Sequence, residues 1–358
     1  MDRRTFLGTA AAAAPWLLRS RIEGAEAGGW RTFEIRFHVE IPDATPSTRV
    51  WLPLPLPRDT PYQRALGHEW TGNATSCKVE GEAAPGPMMI AAEWTSPETT
   101  STLDVIMRVA TKNIAVPLHM PSMSASTKKP TPVDLAQHLK PTTLMPTDGI
   151  VRETAVSITR GHKTSLAKAR AIYDWVVERT HRDPKVQGCG LGDIRWMLET
   201  GNLGGKCADL NALFVGLSRA AGLPARHLYG IRVGPSKDFK SLGRAGTITT
   251  GQHCRAEVYL ANLGWVPADP ADVRKAILEE RPDAKLTDPD IVRLRARLFG
   301  SWEMNWIAFN DTHDVRLPGS SGKPLPYLMY PQAEIGGTRK NSVEADRFRY
   351  TIASADIN

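Results

Sequence analysis

The chain has 358 residues, 41% hydrophobic and 23% charged, which is enough for two or three domains with cores and excludes a disordered chain. Lys and Arg outnumber Asp and Glu by 45 to 38, a formal charge of +7, but no run of like charge or base-reading motif accompanies the excess, so no nucleic-acid partner is expected. No apolar run reaches 18 residues, so no transmembrane anchor is expected.

The N-terminus reads as an address. Arg3 and Arg4 precede Phe6-Leu7, a mildly apolar stretch covers 9–18, and Ala25-Glu26-Ala27 has the small-x-small form of a cleavage site. Residues 1–27 thus resemble a twin-arginine export signal, departing from it at Asp2 and Gly8. The resemblance implies the twin-arginine translocation machinery as a partner and a periplasmic or secreted destination.

Strand patterns fill 28–116. Residues 33–39 (Phe-Glu-Ile-Arg-Phe-His-Val) alternate with period two, 50–56 are extended and interrupted by Pro53 and Pro55, and 103–109 form another candidate. Turn residues separate them, which predicts an antiparallel β-sandwich. Residues 117–146 read as a Pro/Ser/Thr-rich linker.

Helical spacing begins in the next segment, 147–300. Leu166, Ala169, Ile172, Tyr173, Val176 and Val177 make one stripe, and Tyr173 and Trp175 are expected in the core. Leu210, Leu213, Phe214, Leu217 and Ala221 make a second stripe, stopped by Gly222 and Pro224. Strands are expected over 226–233, 252–260 and 264–267, and helices over 272–280 and 291–299. Residues 301–358 read as a C-terminal extension with strands, the last at 348–352.

The chemistry centres on 203–210, Leu-Gly-Gly-Lys-Cys-Ala-Asp-Leu. The glycines permit a tight turn, and Cys207 then opens the second amphipathic helix. A thiol at a helix N-terminus, beside Lys206, is held toward the thiolate. The Cys207 N–H is one candidate oxyanion donor, and Gln187 is another. Downstream, period-two alternation sets His253 on the face opposite Cys254, Ala256, Val258 and Leu260, where it could serve as acid and base. Asp269, at the end of the next strand, could fix the imidazole tautomer. Each feature alone has a plain reading: a structural cysteine, a satisfied histidine and an Asp-Pro turn. Asp209 would favour the helix N-terminus without a catalytic role.

The other cysteines, Cys77, Cys189 and Cys254, are too few for a disulfide scaffold. Cys254 reads as core, with a disulfide to Cys189 or Cys77 left open. No C-x-x-C, H-E-x-x-H or calcium-loop motif is present, so no metal and no cofactor is expected.

Taken together, Gly205-x-Cys207-x-Asp209, the stretch from Arg219 to Arg226, His253-Cys254-x-Ala256-Glu257-Val258-Tyr259 and Gly264-Trp265-Val266-Pro267-x-Asp269-Pro270 resemble the core of the transglutaminase-like superfamily. The resemblance implies an α+β fold: a papain-like transglutaminase core preceded by the antiparallel β-sandwich domain. It also implies Cys207 as nucleophile, His253 as acid/base and Asp269 as orienter. Arg255 and Asn211 depart from the family pattern; Arg255 in place of an aromatic suggests a more polar or cationic acyl pocket.

The expected function is an exported thiol enzyme cleaving or transferring an amide or isopeptide acyl group, hydrolysis favoured over cross-linking. Its substrate would be a peptide, protein or peptidoglycan stem. The alternative is an envelope binding or scaffold protein that keeps the fold without turnover.

Overall fold

The computed structural model describes residues 29–81, 86–97, 100–119, 131–343 and 348–358. The expected export signal, 1–27, and linker residues 120–130 lie outside the described residues.

The N-terminal strands are β1 (Arg31–Ile41), β2 (Thr48–Pro53), β3 (Gln63–Gly72), β4 (Ser76–Glu80), β5 (Met89–Trp94), β6 (Ser101–Thr111) and the short β7 (Ile114–Ala115). Alternation dictates which side of each is buried. Phe33, Ile35, Phe37, Val39 and Ile41 of β1 share a core with Leu103, Val105, Met107 and Val109 of β6 and with Val50, Leu52, Ile90 and Ala92 of β2 and β5.

The following helix-rich part comprises α1 (Pro132–Ala136), α2 (Gly149–Thr159), α3 (Ser165–Arg179), β8 (His181–Arg182), α4 (Ile194–Thr200), β9 (Gly204–Gly205) and α5 (Cys207–Ala220). It continues through β10 (Ala225–Arg232), β11 (Gly246–Thr247), β12 (Gln252–Leu260), β13 (Gly264–Ala268), α6 (Pro270–Glu280) and α7 (Pro289–Arg297). The chain closes with β14 (Ser301–Trp302), β15 (Trp306–Asn310), β16 (Gln332–Ile335), β17 (Thr338–Arg339) and β18 (Arg349–Asp356).

Three sheets organise all of these strands but four, in the orders β11-β18-β1-β6-β3, β17-β16-β2-β5-β4 and β13-β12-β10-β15, while β14 pairs with β7 and β8 with β9. The first two share the apolar core just described, and their pairings are antiparallel. The third carries the helices and completes the α+β architecture. Its long strand β12 packs against α5, and α2, α3 and α4 cover the helix from its other sides. Every residue from Cys207 to Arg219 is therefore buried. The sequence stripe suggests one buried face on this helix; the structure buries all of it, because sheet and helices enclose it.

Residues 301–358 are distributed over all three sheets. β15 joins the core sheet beside β10, β16 pairs with β2, and β18 lies along β1 with Phe37 opposite Ile352. Within 131–146, α1 is capped by Thr131, and His138 meets the Trp265 ring edge-on at 4.9 Å. That stretch is docked on the core sheet.

Candidate active site

Cys207 is the first residue of α5, and the turn before it is built around one carboxylate. Asp209 Oδ2 accepts the Lys206 N–H at 2.9 Å, and Oδ1 accepts the N–H groups of Leu191 and Gly192 at 3.0 and 2.8 Å. Two glycines make room for it. A Cβ on Gly190, whose φ is +91°, would lie 1.8 Å from Asp209 Oδ2, and one on Gly205 would lie 2.5 Å from Asp209 Cβ. The Ala208 N–H also donates to the Cys189 carbonyl at 2.8 Å. Loop 188–192 is thereby strapped across the start of α5, and Cys207 is only 4% exposed. As the first helical residue, its N–H has no acceptor inside the helix.

His253 stands on β12, held by the Trp306 indole N–H donating to its carbonyl at 2.9 Å. Its Nε2 lies 2.7 Å from Asp269 Oδ2 and 3.4 Å from Asp272 Oδ2. Asp269 is the N-cap of α6, accepting the Asp272 N–H on Oδ1 at 3.2 Å, with Pro270 starting the helix behind it. Asn211, one turn along α5 from Cys207, donates to the same Asp269 oxygen at 3.2 Å and to the Cys254 carbonyl at 2.8 Å. One helix thus carries the thiol and also fixes the carboxylate that orients the imidazole. With Nε2 committed to Asp269, Nδ1 is left for the thiol; Cys207 and His253 line the same cavity wall, and the interaction with His253 lowers the Cys207 thiol.

The electrostatics favour an ion pair. Burial opposes ionisation of Cys207, but interactions with the neighbouring Cys189, Cys254 and His253 side chains, and the positive imidazole, hold its thiol well below the usual range. Burial and Arg232 push His253 down; Asp272 and Asp269 outweigh them and raise it. Asp269 is raised by burial and by Asp272, whereas Asp272 is held low by Arg232, 2.6 Å away.

Ligand atoms of His253, Asp269 and Asp272 lie within 4.8 Å of one another. Two guanidiniums already neutralise the carboxylates, Arg232 on Asp272 and Arg255 at 3.7 Å from Asp269. A cation placed there would be repelled by both, so this donor set does not fit a metal centre.

Cys207 and His253 open onto a cavity of about 710 Å³, whose wall includes Gly188, Cys189, Lys206, Gln252 and Tyr330. The structure brings Cys207, His253 and Asp269 together. It does not bring Gln187 with them: that side chain is exposed and off the cavity wall, and its carbonyl accepts the Gly190 N–H at 3.1 Å. Arg255 is likewise absent from this wall. It lies on the same face of β12 as His253, its Nε 3.7 Å from Asp269 Oδ2, but farther along the strand, buried against Trp302 and Trp306 with its guanidinium 5.4 and 4.9 Å from their ring centroids. The acyl pocket expected from Arg255 therefore does not form around it.

Residues 152–270 match the family model described as the Transglutaminase-like superfamily. An uncharacterized protein of Haemophilus influenzae is 37% identical over 328 residues, covering 87% of this chain and 86% of its own. The chain belongs to the transglutaminase-like superfamily. Among solved structures, a Cytophaga hutchinsonii protein described as a "putative cysteine protease" superposes with a TM-score of 0.54 at 15% identity, over 92% of each chain. The shared architecture is that of the papain-like transglutaminase fold.

The transglutaminase-like core uses residues that the sequence motifs do not single out. Gln252 is 9% exposed, and its Nε2 has no hydrogen-bond partner although it is buried in the cavity wall. Strand parity is the signal that could have found it: Gln252 shares its face of β12 with Cys254, which touches Cys207. Asp272 was also within reach, as the third residue of a helix opened by Asp269-Pro270. Its partner Arg232, on β10, is fixed only by the tertiary fold. All four cysteines are free. Cys189 and Cys254 are buried against Cys207; the Cys189 thiol donates to the Gln252 carbonyl at 3.4 Å, and its pKa is raised by the contact with Cys207. Among the described residues, no helix is long and apolar enough to cross a membrane.

Proposed function

We propose that this transglutaminase-like protein is a thiol enzyme that hydrolyses amide or isopeptide bonds of peptides or proteins. The observation that carries the reading is Cys207 at the start of α5, beside an imidazole whose Nε2 is 2.7 Å from buried Asp269, on the wall of a substrate-sized cavity.

In this mechanism the Cys207 thiolate attacks the amide carbonyl carbon. The negative charge that develops on oxygen is met by the Cys207 N–H and by the unpartnered Gln252 Nε2–H. Protonated His253 gives its Nδ1 proton to the departing amine as the C–N bond breaks, leaving a thioester. Neutral His253 then takes a proton from water, whose oxygen attacks the thioester. Collapse releases the carboxylic acid and restores the thiolate–imidazolium pair. Asp269 holds the ring in the tautomer both steps need.

Hydrolysis is favoured over transfer to lysine because, among the described residues, the cavity wall bears many cationic side chains and one carboxylate, Glu279. A protonated lysine amine would meet repulsion that water does not.

The test is brief iodoacetamide treatment at pH 6 followed by peptide mass spectrometry. Selective labelling of Cys207, lost in His253→Ala, is expected. Labelling no faster than a free thiol overturns the reading and leaves a binding protein on the same fold. Export through a twin-arginine signal at 1–27 is part of the proposal. Replacing Arg3 and Arg4 by lysine should retain the protein in the cytoplasm, and unchanged fractionation would refute that part.

A further inference from the structure

We propose that the cavity over Cys207 selects acyl donors bearing carboxylates close to the scissile amide, that is, acidic peptides. The proposal rests on the thiol-enzyme reading above and names its substrate class.

Among the described residues, seven Lys and Arg side chains line this cavity against one carboxylate, Glu279. Three of the seven have a carboxylate partner, two of them sharing one. Arg182 lies 3.0 Å and Lys275 3.7 Å from Glu279, and Arg232 is paired with buried Asp272. The other four, Lys206, Lys240, Arg244 and Arg349, have no carboxylate within ion-pair distance among the described residues. Arg244 is turned onto the Thr250 hydroxyl.

These four charges come from separate places: the turn before α5, the 240–244 loop and the first residue of β18. In sequence they are scattered among 45 basic residues and read as a solvated surface. Folding converges them on the one cavity that holds the reactive thiol. Like charges gathered around a concave wall repel one another and focus potential into the cleft, a cost that an anionic ligand offsets. Because the proposed bond cleaved is an amide, the anion that chemistry supplies is a carboxylate of the acyl chain.

The experiment compares two alkylating probes of similar size, iodoacetate and iodoacetamide, on Cys207 of the full chain at pH 6 and low salt. The ratio of their rates is normalised to the same ratio for N-acetylcysteine. We expect a ratio raised above the free thiol, reduced about tenfold in the double variant Arg244→Glu/Arg349→Glu, and reduced by added salt. A ratio unmoved by charge reversal overturns the proposal, since the local charge of His253 alone would then account for any preference. The ratio is readable whether Cys207 reacts fast or slowly, so failure of the thiol-enzyme reading, seen as slow reaction with both probes, is distinct from failure here. A protection arm identifies the anion. N-acetyl-Glu-Glu-amide should shield Cys207 from iodoacetamide better than N-acetyl-Gln-Gln-amide. Equal shielding by the two peptides, or stronger shielding by inorganic phosphate, overturns the assignment.

Discussion

In the sandwich, β1 and β6 turn Phe33, Ile35, Phe37, Leu103, Val105 and Met107 into a core of aliphatic and aromatic side chains. Behind Cys207 the interior instead holds Asp209, Asn211, Arg232, His253, Arg255, Asp269 and Asp272, each no more than 6% exposed. Burying a charge costs several kcal/mol unless it is paired and hydrogen-bonded, and here Arg232–Asp272 and His253–Asp269 lie at 2.6 and 2.7 Å. The sandwich gains stability from removing apolar surface from water. The core accepts a costlier interior, whose arrangement fixes the protonation of one thiol and one imidazole.

The sharpest way to break that contrast is Cys207→Ser. It should lower amide hydrolysis by on the order of 10⁴-fold or more while circular dichroism and the unfolding midpoint remain close to wild type. Loss of the fold would make Cys207 a packing residue like those of the sandwich. Next is Gln252→Leu, which replaces the unpartnered amide with an apolar group of similar size. Its kcat should fall by about 10² to 10³, while iodoacetamide labelling of Cys207 is unchanged, since alkylation develops no oxyanion. Parallel loss of labelling would mean that Gln252 acts by positioning the thiol.

Legibility divides along the same line. Alternation in 33–39 and 103–109 and the stripes at 166–177 and 210–221 are local patterns, and β1, β6, α3 and α5 follow them. The short α4 and the pairing of β18 with β1 do not follow, because a seven-residue helix has too few turns to show a stripe and strand pairing across more than 300 residues leaves no local trace. Around the thiol, the motifs supply Cys207, His253 and Asp269. Gln187 is favoured by residue type alone, yet its side chain lies off the cavity, whereas Gln252 sits in the wall one residue before His253. The gathered cations are invisible in sequence for the same reason as the β18–β1 pairing: they meet only in three dimensions.

The sandwich side of the comparison is tested by Ile90→Ala on β5. The side chain is fully buried in the core, on a residue paired across the sheet with Leu52 and Val79, so truncation should cost about 2–5 kcal/mol in urea unfolding. With kcat/KM measured well below the transition, activity per folded molecule should match wild type. A lower kcat/KM would mean that the sandwich transmits strain to the cleft through the shared strand β18, which supplies Arg349 and Tyr350 to the cavity wall.

The smallest effect concerns pH and stability. A thiol lowered in the folded state contributes stability above its unfolded value of about 8.5, and that contribution is lost as pH falls toward the folded value. An imidazole raised in the folded state behaves oppositely, contributing fully below about 6.5 and losing its contribution as pH rises through the folded value. Wherever the folded pair is thiolate–imidazolium and the unfolded chain holds thiol and neutral imidazole, each state carries one proton, so the couple adds no slope over that range. In Cys207→Ser the thiol's share disappears, while His253 stays raised through Asp272 and Asp269. The stability difference between wild type and Cys207→Ser should therefore climb by about 1.4 kcal/mol per pH unit from the folded thiol value up to about 8.5, then level off. A difference flat between pH 6 and 8 would show that Cys207 is protonated in the folded enzyme. It would then belong with the apolar interior, and the ion pair that separates the two regions would not exist.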